Sequence, residues 1–319
     1  MRPPEPAWAI VEPMPARSFC PWVVLAVSAA LAGCAPAAPG GGGGPAPLQV
    51  AVTVPPQAYL VERIGGERVA TAVLMPSGSS EETFSPSPRQ LVALSRADLY
   101  LLVGHPAFVV EERHVLPALA RNPDVRTIPM WDGGHDAVAT GGHHHHDHDH
   151  PGGDPHLWTA PRHMRAAAAE VAEALSELDP PGAPVYRARL ASFLAELDAL
   201  DAEIRRELAG LPRRRFLVTH PAWGHLAAQY GLEQVAIEAE GKEPGPRALV
   251  ALVESARAEG VPVVFSQEGF PDAAARAVAA EIGARVVPLD PLARSWLDNT
   301  RATARAIAAS LGTTGSAAE

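Results

Sequence analysis

Cysteine is nearly absent from this chain: Cys20 and Cys34 are the only two among 319 residues. Both precede the folded part, so no disulfide staples the fold, and a metal site within it has to be built from nitrogen and oxygen donors. A Lys/Arg stripe is also missing. The balance of 26 basic against 36 acidic residues gives a formal net charge of -10, which argues against a nucleic-acid partner and is compatible with attracting cations. No Gly-rich phosphate loop, Gly-x-Ser-x-Gly elbow or His-Glu-x-x-His helix occurs, so the familiar nucleotide-binding and hydrolase signatures are lacking. The apolar run from Phe19 to Ala32 is too short to span a bilayer as a stable helix.

That run follows Arg17 and reads as a secretion signal, with Met14 offering a second translation start. It ends in Leu31-Ala32-Gly33-Cys34, which resembles the bacterial lipobox, in which the cysteine is acylated and becomes the new N-terminus. Residues 1–34 are therefore expected to be a signal peptide with lipobox and Cys34 the lipidation site. A plain signal peptide with an incidental cysteine is the alternative. Residues 35–47, with Gly40 to Gly44 in a row, read as a flexible tether. The expected location is periplasmic or at the cell surface, with a lipid anchor as the only membrane attachment.

What the chain has in excess is histidine, concentrated between His135 and Trp158, where eight of its 13 histidines fall. After His143 and His144, imidazole alternates with carboxylate in His145-His146-Asp147-His148-Asp149-His150, a set suited to zinc, nickel or copper. A purification tag would give a similar run, but this one is internal and broken by aspartates. Its glycines and its lack of apolar periodicity leave residues 135–153 no face to bury, so a loop that collects metal without fixed geometry is expected.

From Leu48 onward the apolar pattern alternates between strand and helix. The expected order is strand Leu48 to Val54, helix Pro55 to Ile64, strand Val69 to Leu74, helix Arg89 to Arg96, strand Asp98 to Val103, helix Pro106 to Arg121, strand Val125 to Met130 and, after the His-rich loop, helix Pro161 to Leu178. Tyr186, Leu190, Phe193, Leu197, Leu200, Ile204, Leu208 and Leu211 keep to intervals of three and four, predicting one helix from Ala183 to Leu211, about 40 Å long. A second alternating set follows, with strands Phe216 to Thr219, Val235 to Glu238, Val261 to Phe265 and Arg285 to Leu289, and helices Ala222 to Tyr230, Arg247 to Glu259, Asp272 to Ile282 and Ser295 to Leu311. The fold class is thus α/β: two (β/α) lobes with parallel sheets, residues 48–180 and 213–312, joined by one long backbone helix in residues 181–212, with a tail at 313–319.

Ligands of open α/β sheets bind beyond the carboxyl ends of the strands. Metal-capable side chains fall there repeatedly: Glu82, His156, His220, Glu268 and Asp290. His105 follows a strand end and is expected in a solvated loop, His114 and His163 on exposed helix surfaces, and His225 beside the site. Trp158 and Trp223 flank two of the candidates, where they either exclude water or pack an ordinary core.

The blocks Pro76 to Pro88, Leu94 to Leu99, Asp154-Pro155-His156-Leu157-Trp158, Thr219-His220-Pro221-Ala222-Trp223 with Gln229-Tyr230-Gly231-Leu232, and Leu289-Asp290-Pro291-Leu292 resemble, in order, those of the zinc/manganese solute-binding proteins of bacterial ABC importers. The resemblance runs from about Leu48 to Leu311. It implies one metal in the cleft between two lobes, a His-rich loop as in zinc members, and an ABC permease with its ATPase as partners of a monomeric, non-enzymatic receptor. It also implies His156 and His220 as ligands, Asp290 as a fourth, and Glu82 where most members carry a first histidine. Glu268 is the reserve, as a fourth ligand or an acceptor orienting an imidazole. Two imidazoles with two carboxylates lean toward Mn²⁺ in ligand type, whereas the general affinity order and the His-rich loop favour Zn²⁺. A metal buffer or adhesin would use the same site without a permease. A zinc hydrolase would need a general base, for which Glu268 or Glu81 is available.

Overall fold

The computed structural model describes residues 46–130, 153–238 and 244–312. The signal segment with Cys34, most of the tether, the histidines from 143 to 150 and the C-terminal tail lie outside them. The first half of the chain runs β1 (Leu48–Val52), α1 (Pro55–Gly65), β2 (Val69–Val73), α2 (Pro88–Leu94), β3 (Leu99–Leu102), α3 (Leu116–Leu119) and β4 (Arg126–Pro129). Its strands form a parallel sheet in the order β2-β1-β3-β4, with Val50 opposite both Thr71 and Leu99. Parallel neighbours require crossover connections, which the intervening helical segments supply. β3 is buried along its whole length, as a strand covered on both faces should be.

Two longer helices follow, α4 (Pro161–Leu178) and α5 (Ala183–Glu207). Next come β5 (Arg215–Val218), α6 (Gly224–Gln229), β6 (Glu233–Ala236), α7 (Pro246–Ala258), β7 (Val263–Gln267), α8 (Ala273–Ile282), β8 (Arg285–Leu289) and α9 (Trp296–Gly312). The second sheet is again parallel, in the order β6-β5-β7-β8. In both sheets the chain steps from the first strand to one neighbour and then returns to the other side. The carboxyl ends of β1 and β3, and of β5 and β7, are therefore topological switch points where a crevice opens.

The interval of threes and fours does produce one uninterrupted helix. Along α5, Tyr186, Phe193, Leu197, Leu200 and Ile204 are buried, and the helix packs against α1, α4 and α9. It stops at Glu207, short of the expected Leu211, and Gly210 turns the chain away with φ 66°. The expected helix from Pro106 to Arg121 is a larger departure. A π-helical turn, Glu111–Val115, precedes the four-residue α3. Pro117 has no N–H to give the carbonyl of Arg113, and the wider turn avoids that requirement. The buried Glu111 carboxylate meanwhile accepts from Val103 N at 2.7 Å and Gly104 N at 2.8 Å, capping the end of β3.

Segments beyond the strand ends of the two sheets are tied to each other. The Trp158 indole N–H donates to Pro291 O at 2.8 Å, the Trp296 N–H to Trp158 O at 2.6 Å, and Ser77 Oγ to Leu292 O at 2.8 Å. Arg294 also pairs with Glu62 of α1. The main apolar core runs through the first sheet, α4, α5 and α9, and a smaller one lies under β5 and β7 against α7 and α8. Among the described residues, no helix is long and apolar enough to cross a membrane.

Phe193 is fully buried in α5 whereas Val185, on the same helix, is 43% exposed. Phe193→Ala is expected to cost about 3–5 kcal/mol in urea denaturation. Val185→Ala should stay within about 0.5 kcal/mol.

Candidate metal centre

Glu81 and His220 stand on segments that leave strand ends, and His156 on the segment that leads into α4. After β2, Leu74 N and Met75 N bond to Val52 O and Thr53 O, both at 2.9 Å, carrying the loop forward alongside β1. A tight turn follows, with Phe84 N on Ser80 O at 2.8 Å. Within it Glu82 folds back, its Oε2 accepting from Ser80 Oγ at 2.5 Å, while Glu81 points into the cleft. In the second sheet, Thr219 N bonds to Phe265 O at 2.8 Å and fixes the exit of β5, so His220 emerges directly over the crevice. His156 is set by a local device. Asp154 Oδ1 accepts from His156 N at 2.9 Å, an Asx-type turn around Pro155, and from His156 Nδ1 at 2.7 Å.

These three elements bring Glu81, His156 and His220 together, with one donor atom of each within 4.8 Å of the others. His156 Nε2 lies 2.6 Å and His220 Nε2 3.0 Å from the same oxygen, Glu81 Oε1, and the two Nε2 atoms are 3.2 Å apart. Nitrogens about 2.0–2.1 Å from a tetrahedral ion stand about 3.3 Å apart, so this spacing fits two imidazole ligands of one zinc-sized cation. Both histidines are buried. The Trp158 ring stands edge-on to His156 with centroids 5.4 Å apart, limiting the ring's rotation and shielding it from water.

The electrostatics match a site that holds positive charge. Burial is the largest influence on His156 and disfavours its charged form, yet the carboxylates of Glu81 and Asp154 outweigh it and raise its pKa to about 10. Burial likewise opposes ionisation of Glu81 and Asp154. His156, joined by His220 at Glu81, overrides it, holding Glu81 well below the usual carboxylate range and Asp154 at about 2. The metal-free cleft thus keeps a proton on His156 between two carboxylates.

The other expected residues sit apart from this cluster. Glu82 lines the same cleft but is not one of the three converging groups. Asp290 follows β8 immediately, and its Oδ1 accepts from Leu292 N at 2.8 Å. Desolvation raises its pKa and neighbouring Glu268 adds to the rise, while the Leu292 N–H opposes it. Glu268 is exposed. His105 is buried rather than solvated, its Nδ1 accepting from Ala107 N at 3.2 Å. His163 is buried too, against the expectation of a surface residue, with its ring packed on that of His225.

Sequence reasoning overlooked two carboxylates. Asp154 was visible in the Asp-Pro-His block, where an aspartate two residues before a histidine is the signal of an Asx turn. Glu238, just after β6, lines the cleft with Oε2 4.0 Å from His220 Nδ1, and only the pairing of β6 with β5 brings it there.

A family model described as "ZnuA: Zinc-uptake complex component A periplasmic" matches residues 50–310. A protein of Treponema pallidum (strain Nichols) named for metal binding is 29% identical over 254 residues, 75% of this chain and 78% of that one. Zinc-binding lipoprotein AdcA of Streptococcus pneumoniae serotype 4 is 24% identical over 80% of this chain, which spans about half (52%) of that relative's length. A crystal structure of ZnuA superposes with TM-score 0.75 at 37% identity, covering 83% of this chain and 99% of that one.

Because Asp154 holds the His156 proton from one side, Asp154→Asn should lower the His156 pKa, read from its imidazole Cε1–H by NMR on metal-free protein. A pKa raised from the ordinary 6.5 to about 10 gives stabilisation that is complete below about pH 6.5 and lost as pH rises to about 10. The denaturation midpoint of the metal-free protein should therefore fall across that window, and less so in Asp154→Asn.

Proposed function

Since this chain belongs to the family of periplasmic zinc-uptake components, we propose that it is the extracytoplasmic receptor that captures Zn²⁺ in its cleft and passes it to an ABC permease. The observation that carries this reading is the meeting of two imidazole Nε2 atoms, 3.2 Å apart, on one Glu81 oxygen. In it, Glu81 takes the place the sequence assigned to Glu82, alongside His156 and His220. Asp290, which stands immediately after β8 and outside the three converging groups, is the fourth donor that the resemblance offers. A set of two imidazoles and two carboxylates also accepts Mn²⁺, but zinc forms the tighter complex with nitrogen and oxygen donors.

Capture replaces the His156 proton with the ion, so uptake at neutral pH releases a proton. Glu81 and His156 come from segments associated with the first sheet, His220 and Asp290 from the second. A displacement of one set relative to the other separates the donors and frees the ion, which suits delivery to a permease powered by its ATPase. Family members are metal-binding transport receptors, and the same is proposed here. Cys34 supplies the lipid anchor in this reading, and His143, His144, His145, His146, His148 and His150 gather metal outside the cleft.

Deleting residues 141–153 should reduce the number of Zn²⁺ ions bound and leave one tight site in calorimetry. In that background, His156→Ala, His220→Ala and Glu81→Ala should each weaken Zn²⁺ by more than about 100-fold, beyond the 10–100-fold range of outer-shell changes. Glu82→Ala should change it by less than about 10-fold on the same scale. Loss of all tight binding on loop deletion would make the loop the primary site.

Calorimetry at pH 7.5 in buffers of different ionisation enthalpy should show about one proton released per ion. Affinity should accordingly rise with pH until it nears about 10, where His156 is half deprotonated. A flat pH profile would mean that the ion does not displace this proton.

A further inference from the structure

Behind Asp154 lies a second buried polar cluster that the metal-binding reading does not use. His225, the second residue of α6, places Nε2 2.8 Å from the backbone carbonyl of Asp154. A carbonyl only accepts, so Nε2 carries the hydrogen. Arg162, in the first turn of α4, lies beside the other nitrogen: its Nη2 is 3.4 Å from His225 Nδ1, and its Nε is 3.1 Å from His163 Nε2, which is itself 3.3 Å from His225 Nδ1. The guanidinium forks onto both imidazoles, whose rings stand at 84° with centroids 4.8 Å apart. Gln229, at the other end of α6, accepts from Arg162 N at 3.1 Å and ties the two helix ends together.

We propose that His225 is a positioning residue for metal capture, locking Asp154 so that Asp154 in turn holds the His156 imidazole in its ligating orientation. The inference rests on the assignment of His156 as a metal ligand. Fixing the Asp154 carbonyl fixes the peptide plane entering Pro155. Only then can Asp154 Oδ1 reach both His156 N and His156 Nδ1, at 2.9 and 2.7 Å. The start of α6 is shaped to the same end. A Cβ on Gly224 would lie 2.4 Å from Asp154 Oδ2, so glycine at 224 leaves the aspartate room to sit where it does. His225 and Gly224 follow β5 of the second sheet, whereas Asp154 and His156 lead into α4. The orientation of one ligand is thereby made dependent on contact between the two halves of the chain.

The test is Zn²⁺ affinity for the first equivalent, measured on the full chain by competition with a chromophoric chelator. His225→Phe keeps a ring and loses the donor, and should weaken binding about 10-fold, the lower end of what outer-shell partners contribute. His225→Gln, whose amide N–H reaches a similar place, should restore most of it. Gly224→Ala, which leaves His225 in place and crowds Asp154, should reproduce the loss. If His225 acts through Asp154, adding His225→Phe to Asp154→Asn should cost nothing further. Unchanged affinity in His225→Phe overturns the proposal, as does a loss that adds in full to that of Asp154→Asn. An unchanged first equivalent in His156→Ala overturns the ligand assignment beneath it, which separates the two failures.

Discussion

The structure turns on one carboxylate oxygen facing two imidazole nitrogens in a space mostly closed to water. Glu81 Oε1, His156 Nε2 and His220 Nε2 all lie within about a hydrogen-bond length of one another. Without a cation among them, two ring nitrogens 3.2 Å apart would oppose lone pairs, so the metal-free cleft must carry a proton there. The same demand that raises the His156 pKa gives the site its affinity for a harder positive charge. Proton and metal ion are competitors for one position, and a soft, apolar ligand has no place in it.

Everything around this position serves to keep three side chains from relaxing apart. Two parallel sheets present their carboxyl ends to a common cleft, and the segments beyond those ends are pinned across it by the Trp158, Trp296 and Ser77 hydrogen bonds. The helix α5 lies between the two sheets in sequence and packs on α1, α4 and α9, bracing both halves. The outer carboxylates complete the arrangement. Asp154 holds the Nδ1 of His156, and Glu238 stands near that of His220, so each ring has an acidic group beside its Nδ1.

Much of this was legible in the sequence. Alternation of apolar strand and helix patterns gave the α/β class, α4 runs from Pro161 to Leu178 as its pattern predicted, and a single apolar stripe marked α5. The histidines beyond β4 and β5 were recognisable because strand ends in such sheets face ligands. Its place in the block points to Glu82 as the donor and leaves Glu81 only a possible base, because the sequence does not show how the Ser80–Phe84 turn aims two adjacent side chains, of which Glu81 meets the histidines. His163 was assigned to the surface by helical position alone, whereas its ring packs on that of His225 in α6. The helix expected at Pro106 to Arg121 failed where Pro117 removes a donor and Glu111 is drawn in to cap β3.

The most direct measurement is a crystal structure of the zinc-soaked protein, with anomalous difference maps collected on both sides of the zinc absorption edge. A single strong peak is expected in the cleft, about 2.0–2.2 Å from His156 Nε2, His220 Nε2 and a Glu81 oxygen. A strong peak bonded to Glu82 instead of Glu81, or a cleft without zinc while the His-rich segment binds it, would contradict the account.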